Sequence, residues 1–194
     1  GDARCLLRKR GVPAELGITL TVDHDGKNET ERARIIEAGG YINPDTGSVH
    51  LEKGSKNYRQ PTRAWGDFEF APAGIICTPE FTVVERSADG LELLVLGCDG
   101  VFEGKDMDTG TIFNKVEQSA PLLSIIRGES AATTKDRHTN EVPSNTVPDL
   151  GVLTESKPRV TDQLNQACEA VLLLGLDRGT TDNQSICIAL LGRA

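Results

Sequence analysis

The stretch LELLVLGCDGVFEG, residues 91–104, is the part of the sequence from which fold and chemistry can be read most directly. Its first half is apolar enough to form a buried strand, and Asp99 follows where that strand ends. A carboxylate at this position is costly unless a partner compensates its charge. Glu103 lies four residues further on. The stretch therefore predicts a core strand that leads into an acidic turn, and it raises the question of what balances Asp99.

The composition limits the classes of protein to which the chain can belong. With 194 residues, of which 38% are hydrophobic, the chain suits one globular domain. A formal net charge of -8 argues against a nucleic-acid partner, because nucleic-acid binders usually present a basic face. No apolar run approaches the roughly 18 residues of a membrane-spanning helix, so we expect no membrane partner.

The cysteine pattern indicates the redox environment. Five cysteines are present, and no two of them form a Cys-x-x-Cys pair. An odd count without such a pair predicts buried free thiols rather than a disulfide framework. We therefore expect a reducing compartment, which means an intracellular protein of the cytoplasm or nucleus.

Periodicity and turn signals predict an α+β fold. Strands are expected at 3–8, 18–24, 74–86, 91–99 and 184–191. Helices are expected from Asn28 to the double glycine at 39–40, at about 108–118, and over 160–179. In the first helix, Asn28 and Glu31 resemble a capping box, while Ala33 and Ile36 share one face.

Two regions interrupt this regular pattern. Residues 41–74 are rich in Gly, Pro, Asn and Lys, which predicts a loop-rich subdomain. Residues 128–159 are polar and contain prolines, which predicts an insertion, a lid or a mobile loop. This insertion either docks a partner or covers the site, or it is a surface loop without a role.

Asp182 precedes the last predicted strand, much as Asp99 ends an earlier one. If the two strands are neighbours, both carboxylates lie at one edge of the sheet. Two such anions do not both stay ionised without a cation, and all-oxygen ligands favour Mg²⁺ or Mn²⁺. Spacing alone allows the alternative that Asp99 caps a helix and that Asp182 forms a turn with Asn183.

Six segments occur in an order that resembles one known family. They are GDAR (1–4), LTVDH (20–24), ETERARIIEAGGYI (29–42), TRAWGDFEF (62–70), LLVLGCDGVFE (93–103) and RGTTDNQSICIALL (178–191). In this order they resemble the metal-dependent protein serine/threonine phosphatases of the protein phosphatase 2C (PP2C, PPM) family. No single segment is decisive, but together they span nearly the whole chain.

The resemblance implies a fold and a reaction. The expected fold is an antiparallel β-sandwich flanked by helices, of which residues 1–194 form the carboxy-terminal portion, incomplete because the amino-terminal part is missing. Residues 41–74 would then be a flap beside the active site. The expected reaction is hydrolysis of phosphoserine or phosphothreonine in a phosphoprotein by a water that two metal ions activate. A complete site would hold two or three Mg²⁺ or Mn²⁺ ions.

The resemblance also assigns roles to individual residues. Asp99 and Asp182 match direct ligands of one metal ion. Asp2 and Glu103 match acidic positions that hold a third, weaker ion in some members. Asn183 matches the asparagine after the second ligand, where we expect a supporting role outside the ligand set.

One further motif of the resemblance lies on the flap and substrate side. Arg63 and Asp67 belong to a stretch that the family writes as serine-arginine-alanine-leucine-glycine-aspartate. Trp65 stands in place of the leucine, and we expect it to be a packed aromatic residue.

The family's motif aspartate-glycine-histidine-glycine-glycine does not occur in these 194 residues. No catalytic residue is therefore identified, because the general-acid histidine and the phosphate-binding arginine have no counterpart. His24, His50 and His138 lie outside any motif that suggests acid–base chemistry, and His24 is expected to be structural. We expect the chain to be inactive alone, unless the missing amino-terminal half or another copy completes the fold.

Two other interpretations stay open. The first is a pseudophosphatase or regulatory binding module that uses the same scaffold to hold a phosphoprotein. The second is a different metal-dependent hydrolase that shares only the two-aspartate arrangement. The retained pair Asp99 and Asp182 counts against the first, and the ordered series of motifs counts against the second.

Overall fold

The protein is built on a four-stranded antiparallel sheet with the strand order β2-β1-β6-β7. A computed structural model describes residues 1–86, 92–120 and 159–192. Its elements are β1 (Arg4–Lys9), β2 (Ile18–Thr19), α1 (Glu29–Glu37), β3 (Tyr41–Ile42), β4 (Val49–His50), β5 (Tyr58–Arg59), β6 (Glu92–Gly97), α2 (Asp99–Phe102), α3 (Thr109–Ser119), α4 (Val160–Asp177) and β7 (Ile186–Leu191). Antiparallel sheets combined with helices confirm the predicted α+β class.

Strand β6 is a central strand of the sheet, as its apolar sequence predicted. Val95 lies opposite Leu6 of β1 on one side and opposite Ile188 of β7 on the other. Because side chains in register share a face, these three point to the same side of the sheet. All three are buried in one core with residues of α3 and α4. The sheet is therefore covered by helices on this side.

Helices α3 and α4 lie where the sequence predicted helices. The Asp108 carboxylate caps α3 by accepting a 2.7 Å hydrogen bond from the Thr111 amide. Ala167 and Val171 lie on the buried stripe of α4, against the same core as Ile112 of α3. The expected helices at 108–118 and 160–179 are thus confirmed as α3 and α4, the first with a side-chain cap and the second with a buried apolar stripe.

The opposite face of the sheet is open around Leu96. Leu96 lies between Cys5 of β1 and Cys187 of β7, and its side chain is 43% exposed. These residues line a largely apolar groove of about 420 Å³. An apolar sheet face of this kind is suited to covering by another layer.

A smaller subdomain has a core of its own. Strands β3, β4 and β5 form a second antiparallel sheet, and α1 packs beside them. The side chains that fill this second core are Ile35, Ile42, Val49, Phe70, Ala73 and Ile75. Loop-rich sequence between these elements is in keeping with the short strands, each of two residues.

The predicted strand over 74–86 is wrong. Only Ile76 in this stretch forms a bridge, with Arg63, and the remainder up to residue 86 has no ladder. The segment is attached by single contacts, such as Thr82 Oγ1 donating to the Leu20 carbonyl at 2.9 Å. Phe81 and Val83 are exposed. Apolar composition and the following turn signal were misleading here, because among the described residues no strand pairs with this segment.

The predicted strand over 18–24 is much shorter in the structure. Pairing with β1 ends at Thr19, and the Thr21 hydroxyl accepts the Cys5 amide hydrogen bond at 3.0 Å. A side chain thus takes the place of a backbone partner, and the ladder stops. The chain beyond Thr21 is then free to turn towards the acidic end of the sheet.

The first helix has the predicted start and a different buried face. The Asn28 side chain accepts hydrogen bonds from the Thr30 and Glu31 amides, which confirms the cap. The Glu31 side chain is instead buried against other partners, so the capping box is incomplete. Ala33 and Ile36 do share a face, but both are exposed, and the buried apolar residue of the helix is Ile35.

Several single-residue expectations also have outcomes. In the part of the chain that the structure describes, the Trp65 side chain is 99% exposed, so the prediction that it is a packed aromatic residue is wrong. All five cysteines are free, but Cys77 and Cys187 are exposed rather than buried.

Within the described ranges, no helix has the length and apolar character needed to cross a membrane. The polar insertion at 128–159 lies, apart from residue 159, outside the described residues.

Candidate metal centre

The ends of β6 and β7 bring two aspartates together. Gly97 lies opposite Ile186 in the ladder, and the Cys98 amide donates to the Ser185 carbonyl at 3.1 Å. The chain leaves β6 at Gly97 and reaches Asp99 two residues later, while Asp182 lies four residues before the start of β7 at Ile186. The expectation that the two strands are neighbours is confirmed, and the shared sheet edge follows from their pairing.

Helix α2 places Glu103 on the same side as Asp99. Asp99 opens this short helix, and the Glu103 amide donates to the Asp99 carbonyl at 3.1 Å. Residues four apart lie one above the other on a helix, so the two carboxylates face the same space. The Asp99 carboxylate also accepts the Gly100 amide at 2.9 Å, which fixes its orientation.

Asp99, Glu103 and Asp182 form a three-carboxylate cluster. Each offers one oxygen, and these oxygens all lie within 4.8 Å of one another. Ligands on opposite sides of one ion are about 4–5 Å apart, because Mg–O and Ca–O bonds are about 2.0–2.6 Å long. The donor set is all carboxylate oxygen, which suits a hard divalent cation. The residues present therefore fit the metal that the family resemblance implied.

Asp2 lies in the same cavity but outside this three-carboxylate cluster. Strand β1 runs beside β6 with Arg4 opposite Gly97, which brings Asp2 towards Asp99. A cavity of about 210 Å³ is lined by Asp2, Asp99 and Glu103 among others. The structure thus places four predicted acidic residues at one end of the sheet, three of them in mutual contact range.

Negative charges in the cavity act on one another. Partial burial raises the pKa of the Glu103 carboxyl, and the charges of Asp99, Asp182 and Asp2 raise it further. Burial also raises the pKa of Asp2, to which the charge of Asp99 adds. Proximity of like charges makes the ionised state of each group less favourable. A bound cation would reverse this effect.

Two basic side chains line the cavity beside the acids. Arg4 is held by Asp23, with a 2.6 Å bond from Nη2 to Oδ2, and its guanidinium lies 5.2 Å from the Phe102 ring centroid. Lys27 also lines the cavity, and its charge opposes the rise in the Glu103 pKa. The Arg4 guanidinium is therefore paired with Asp23, and acidic side chains outnumber basic ones in the cavity lining.

Sequence reasoning missed part of this wall. Asp23, Asp25, Lys27, Thr46 and Gln60 line the cavity and were not predicted as site residues. Asp23 is part of the LTVDH segment, so that motif offered a signal. The others come from loops whose position depends on the packing of the small subdomain.

Arg63 and Asp67 lie elsewhere. Arg63 donates to the Glu31 carboxylate at 2.6 Å, and Asp67 accepts from Arg59 at 2.7 Å. Neither lines the acidic cavity. His24 pairs with Glu80 at 2.7 Å, in agreement with a structural role.

Asn183 contacts the site through its backbone. Its amide donates to the Asp182 carboxylate at 2.7 Å, and its carbonyl accepts the Cys98 thiol at 3.3 Å. These two bonds orient one predicted ligand and connect it to the strand that carries the other. The described contacts of Asn183 at the site are thus independent of its side-chain amide.

Comparison with known proteins identifies the family. The Protein phosphatase 2C family model matches residues 1–113. Putative protein phosphatase 2C 76 of Oryza sativa subsp. japonica is 30% identical over 173 residues, which cover 89% of this chain and 28% of the relative. Protein phosphatase 2C homolog 3 of Schizosaccharomyces pombe is 34% identical over 111 residues, covering 54% of this chain and 24% of the relative. The chain spans about a quarter of the length of these curated relatives.

Solved structures support the same fold. The serine-threonine phosphatase 2C from Toxoplasma gondii superposes with a TM-score of 0.62 at 16% identity, covering 100% of this chain and 52% of that one. A second phosphatase from a pathogenic strain of Toxoplasma gondii gives a TM-score of 0.59 at 20% identity, over 99% of this chain and 46% of that one. The PP2C-like fold expected from the sequence is thereby confirmed. The sequence match and the shared fold agree, and the chain belongs to the protein phosphatase 2C family.

Proposed function

We propose that this chain supplies a carboxylate metal site to a protein phosphatase that hydrolyses phosphoserine and phosphothreonine in phosphoproteins. The observation that supports this most directly is the convergence of Asp99, Glu103 and Asp182 within 4.8 Å in a chain of the protein phosphatase 2C family. A chance group of surface acids would not be expected at the ends of two paired core strands.

In this proposal the acids have distinct tasks. Asp99 and Asp182 are direct ligands of one Mg²⁺ or Mn²⁺ ion, and Asp2 and Glu103 hold a peripheral ion. When bound, such ions lower the pKa of coordinated water and neutralise charge on phosphoryl oxygens. The amide bonds from Gly100 to Asp99 and from Asn183 to Asp182 keep the two ligands in place.

The open sheet face suggests what completes the domain. We assign the apolar groove around Cys5, Leu96 and Cys187 to a second layer of the sandwich, supplied by the rest of the family's domain or by another copy. The two Toxoplasma gondii phosphatase structures are about twice as long as the part that this chain matches. A covered face would complete the core and bring further residues to the metal end of the sheet.

The metal site can be tested by calorimetry. The 194-residue chain is titrated with Mn²⁺ and Mg²⁺, alongside Asp99→Asn, Asp182→Asn and the exposed control Asp45→Asn. We expect each of the first two changes to weaken Mn²⁺ binding by more than about tenfold, since changes outside the ligand set already reach that size. The control should bind like the wild type.

The opposite result is equally clear. Unchanged affinity in both Asp99→Asn and Asp182→Asn would refute the site, whatever the affinity of the wild type. Circular dichroism of each variant at the same concentration checks that the fold is retained.

A further inference from the structure

We propose that Cys98 is a positioning residue that joins the two metal-ligand turns, and this rests on the proposed metal site. Cys98 directly precedes Asp99 and directly follows Gly97, the last residue of the ladder between β6 and β7. Its thiol contacts the turn that contains Asp182 at two backbone atoms. The residue therefore couples the position of one ligand to that of the other.

The backbone around Cys98 explains why a side chain is needed here. In a regular antiparallel pair, the Ser185 amide would donate to the Cys98 carbonyl in exchange for the bond in the other direction. That carbonyl instead accepts the Val101 amide at 3.1 Å, which starts α2. The Ser185 amide donates to the Cys98 sulfur at 3.1 Å. The thiol thus replaces a backbone acceptor that the helix has taken.

The same thiol also acts as a donor. Its S–H points to the Asn183 carbonyl at 3.3 Å, so the sulfur bridges two residues on either side of Gln184. A cysteine thiol can donate and accept at once. The Asn183 amide in turn donates to the Asp182 carboxylate at 2.7 Å. One chain of contacts therefore runs from Cys98 to the second ligand.

Two neighbouring contacts keep the turns too close for a larger adjustment. The Thr180 hydroxyl donates to the Gly100 carbonyl at 2.9 Å. A Cβ on Gly100 would lie 2.3 Å from the Asn183 carbonyl oxygen, so only glycine allows this approach. Since these contacts hold the two turns together at Gly100, we expect loss of the thiol bonds to alter the orientation of residues 183–185, and with it the position of the Asp182 carboxylate, rather than to separate the turns.

Three substitutions separate hydrogen bonding from packing. Cys98→Val keeps an apolar group of similar size but removes both hydrogen bonds. Cys98→Ser keeps a donor and an acceptor on a shorter side chain, so it should rescue part of the function. Cys187→Val makes the same replacement on the neighbouring strand and is the matched control, because among the described contacts the exposed Cys187 thiol makes no hydrogen bond to either ligand turn.

The test measures Mn²⁺ affinity by calorimetry on the 194-residue chain, together with thermal unfolding without metal. We expect Cys98→Val to weaken Mn²⁺ binding by about tenfold and Cys98→Ser by less, with Cys187→Val unchanged. Hydrogen exchange of the Ser185 amide without metal should be about tenfold faster in Cys98→Val, since its acceptor is gone. A weakened affinity that merely follows lower thermal stability, equally in Cys187→Val, would overturn the inference.

The inference and the proposed function fail in different ways. Equal Mn²⁺ affinity of wild type and Cys98→Val, with Asp99→Asn still impaired, overturns the role of Cys98 and leaves the metal site standing. No Mn²⁺ binding by the wild type overturns the metal site, and the inference falls with it.

Discussion

Glu31 is a buried acid that ties the small subdomain to the loops around the site. Its side chain is 1% exposed and accepts hydrogen bonds from Arg34 at 2.8 Å, Arg63 at 2.6 Å and Thr62 at 2.6 Å. The Thr62 amide donates to the His24 carbonyl, in the stretch that contains Asp23. Glu31 therefore supports the cavity wall without contacting the cavity.

The ionisation of Glu31 reflects these partners. Burial by itself raises the pKa of the carboxyl, but hydrogen bonds from Arg63, Arg34 and Thr62 outweigh it and hold the pKa well below its usual range. Folding thus favours the ionised form. A group whose pKa is lowered by folding stabilises the protein only where it is ionised.

The first prediction at this scale concerns Glu31→Gln. Removing the charge leaves Arg34 and Arg63 around a neutral amide, and we expect a loss of about 2–3 kcal/mol in the free energy of unfolding. Urea unfolding at pH 7 measures it. Glu69→Gln is the control, because Glu69 pairs with Arg59 on the surface and should change stability by less than about 1 kcal/mol. Equal effects in both variants would contradict the assigned role.

The difference in stability between wild type and Glu31→Gln should also depend on pH. The Glu31 contribution is fully present above the usual pKa of 4.5 and is lost as the pH falls below it. The stability difference between wild type and Glu31→Gln should therefore shrink as the pH falls from about 5 towards 3. Urea unfolding repeated along this range checks it. A difference that stays constant or grows would assign the stabilisation to packing rather than charge.

Among the elements, β6 has two faces with different partners. Leu93 is fully buried between the sheet and the helices, whereas Leu96 points to the open face and is 43% exposed. The two residues have the same chemistry and lie three positions apart, so the strand's alternation alone separates their environments. Comparing truncations at these two positions therefore shows how much packing against the helices contributes to the free energy of unfolding.

We predict different effects of Leu93→Ala and Leu96→Ala. Truncating a fully buried leucine removes apolar contact and leaves a cavity, so Leu93→Ala should lower the free energy of unfolding by about 2–5 kcal/mol. Leu96→Ala should lower it by less than about 1 kcal/mol in the isolated chain, because the open face leaves the side chain partly in water. Denaturant unfolding measures both. A large loss for Leu96→Ala would mean that another layer or copy already covers this face.

At the scale of the whole molecule, the acidic cavity is assembled from distant parts of the chain. Asp2, Asp99 and Asp182 meet because β1, β6 and β7 are adjacent in one sheet. The strand ends next to these aspartates lie at the same edge of the sheet, while α3 and α4 cover one of its two faces. The site and the core thus depend on the same strand order.

We predict that these 194 residues do not hydrolyse p-nitrophenyl phosphate with Mn²⁺ above the rate seen with Asp99→Asn. The reason is chemical, since no histidine lies among the described residues of the cavity wall and no aspartate-glycine-histidine-glycine-glycine motif occurs in the sequence. The release of p-nitrophenol, followed by its absorbance in both proteins at the same concentration, measures it. Clear Mn²⁺-dependent turnover by the chain alone would contradict this prediction and show that these 194 residues suffice for hydrolysis.

The sequence by itself determined the strongest elements, because their signals are local. The apolar run of β6 and the stripe of α4 follow from neighbouring residues, and so does the position of Asp99 at the end of a strand. The ordered motifs also indicated the family. Such features need only contacts within a few residues, which the sequence contains directly.

The tertiary structure alone decided which residues meet. Composition and a turn signal predicted a strand at 74–86, but a strand exists only where another strand accepts its hydrogen bonds, and in the part of the chain that the structure describes none does so along most of that segment. From the sequence, Glu31 resembled part of a capping box, whereas in the structure its carboxylate pairs with Arg63, which is distant in sequence. Likewise, Cys98 became significant only when its thiol was found beside Asn183 and Ser185. Long-range pairing has no local signature, because its free energy comes from partners that folding brings together.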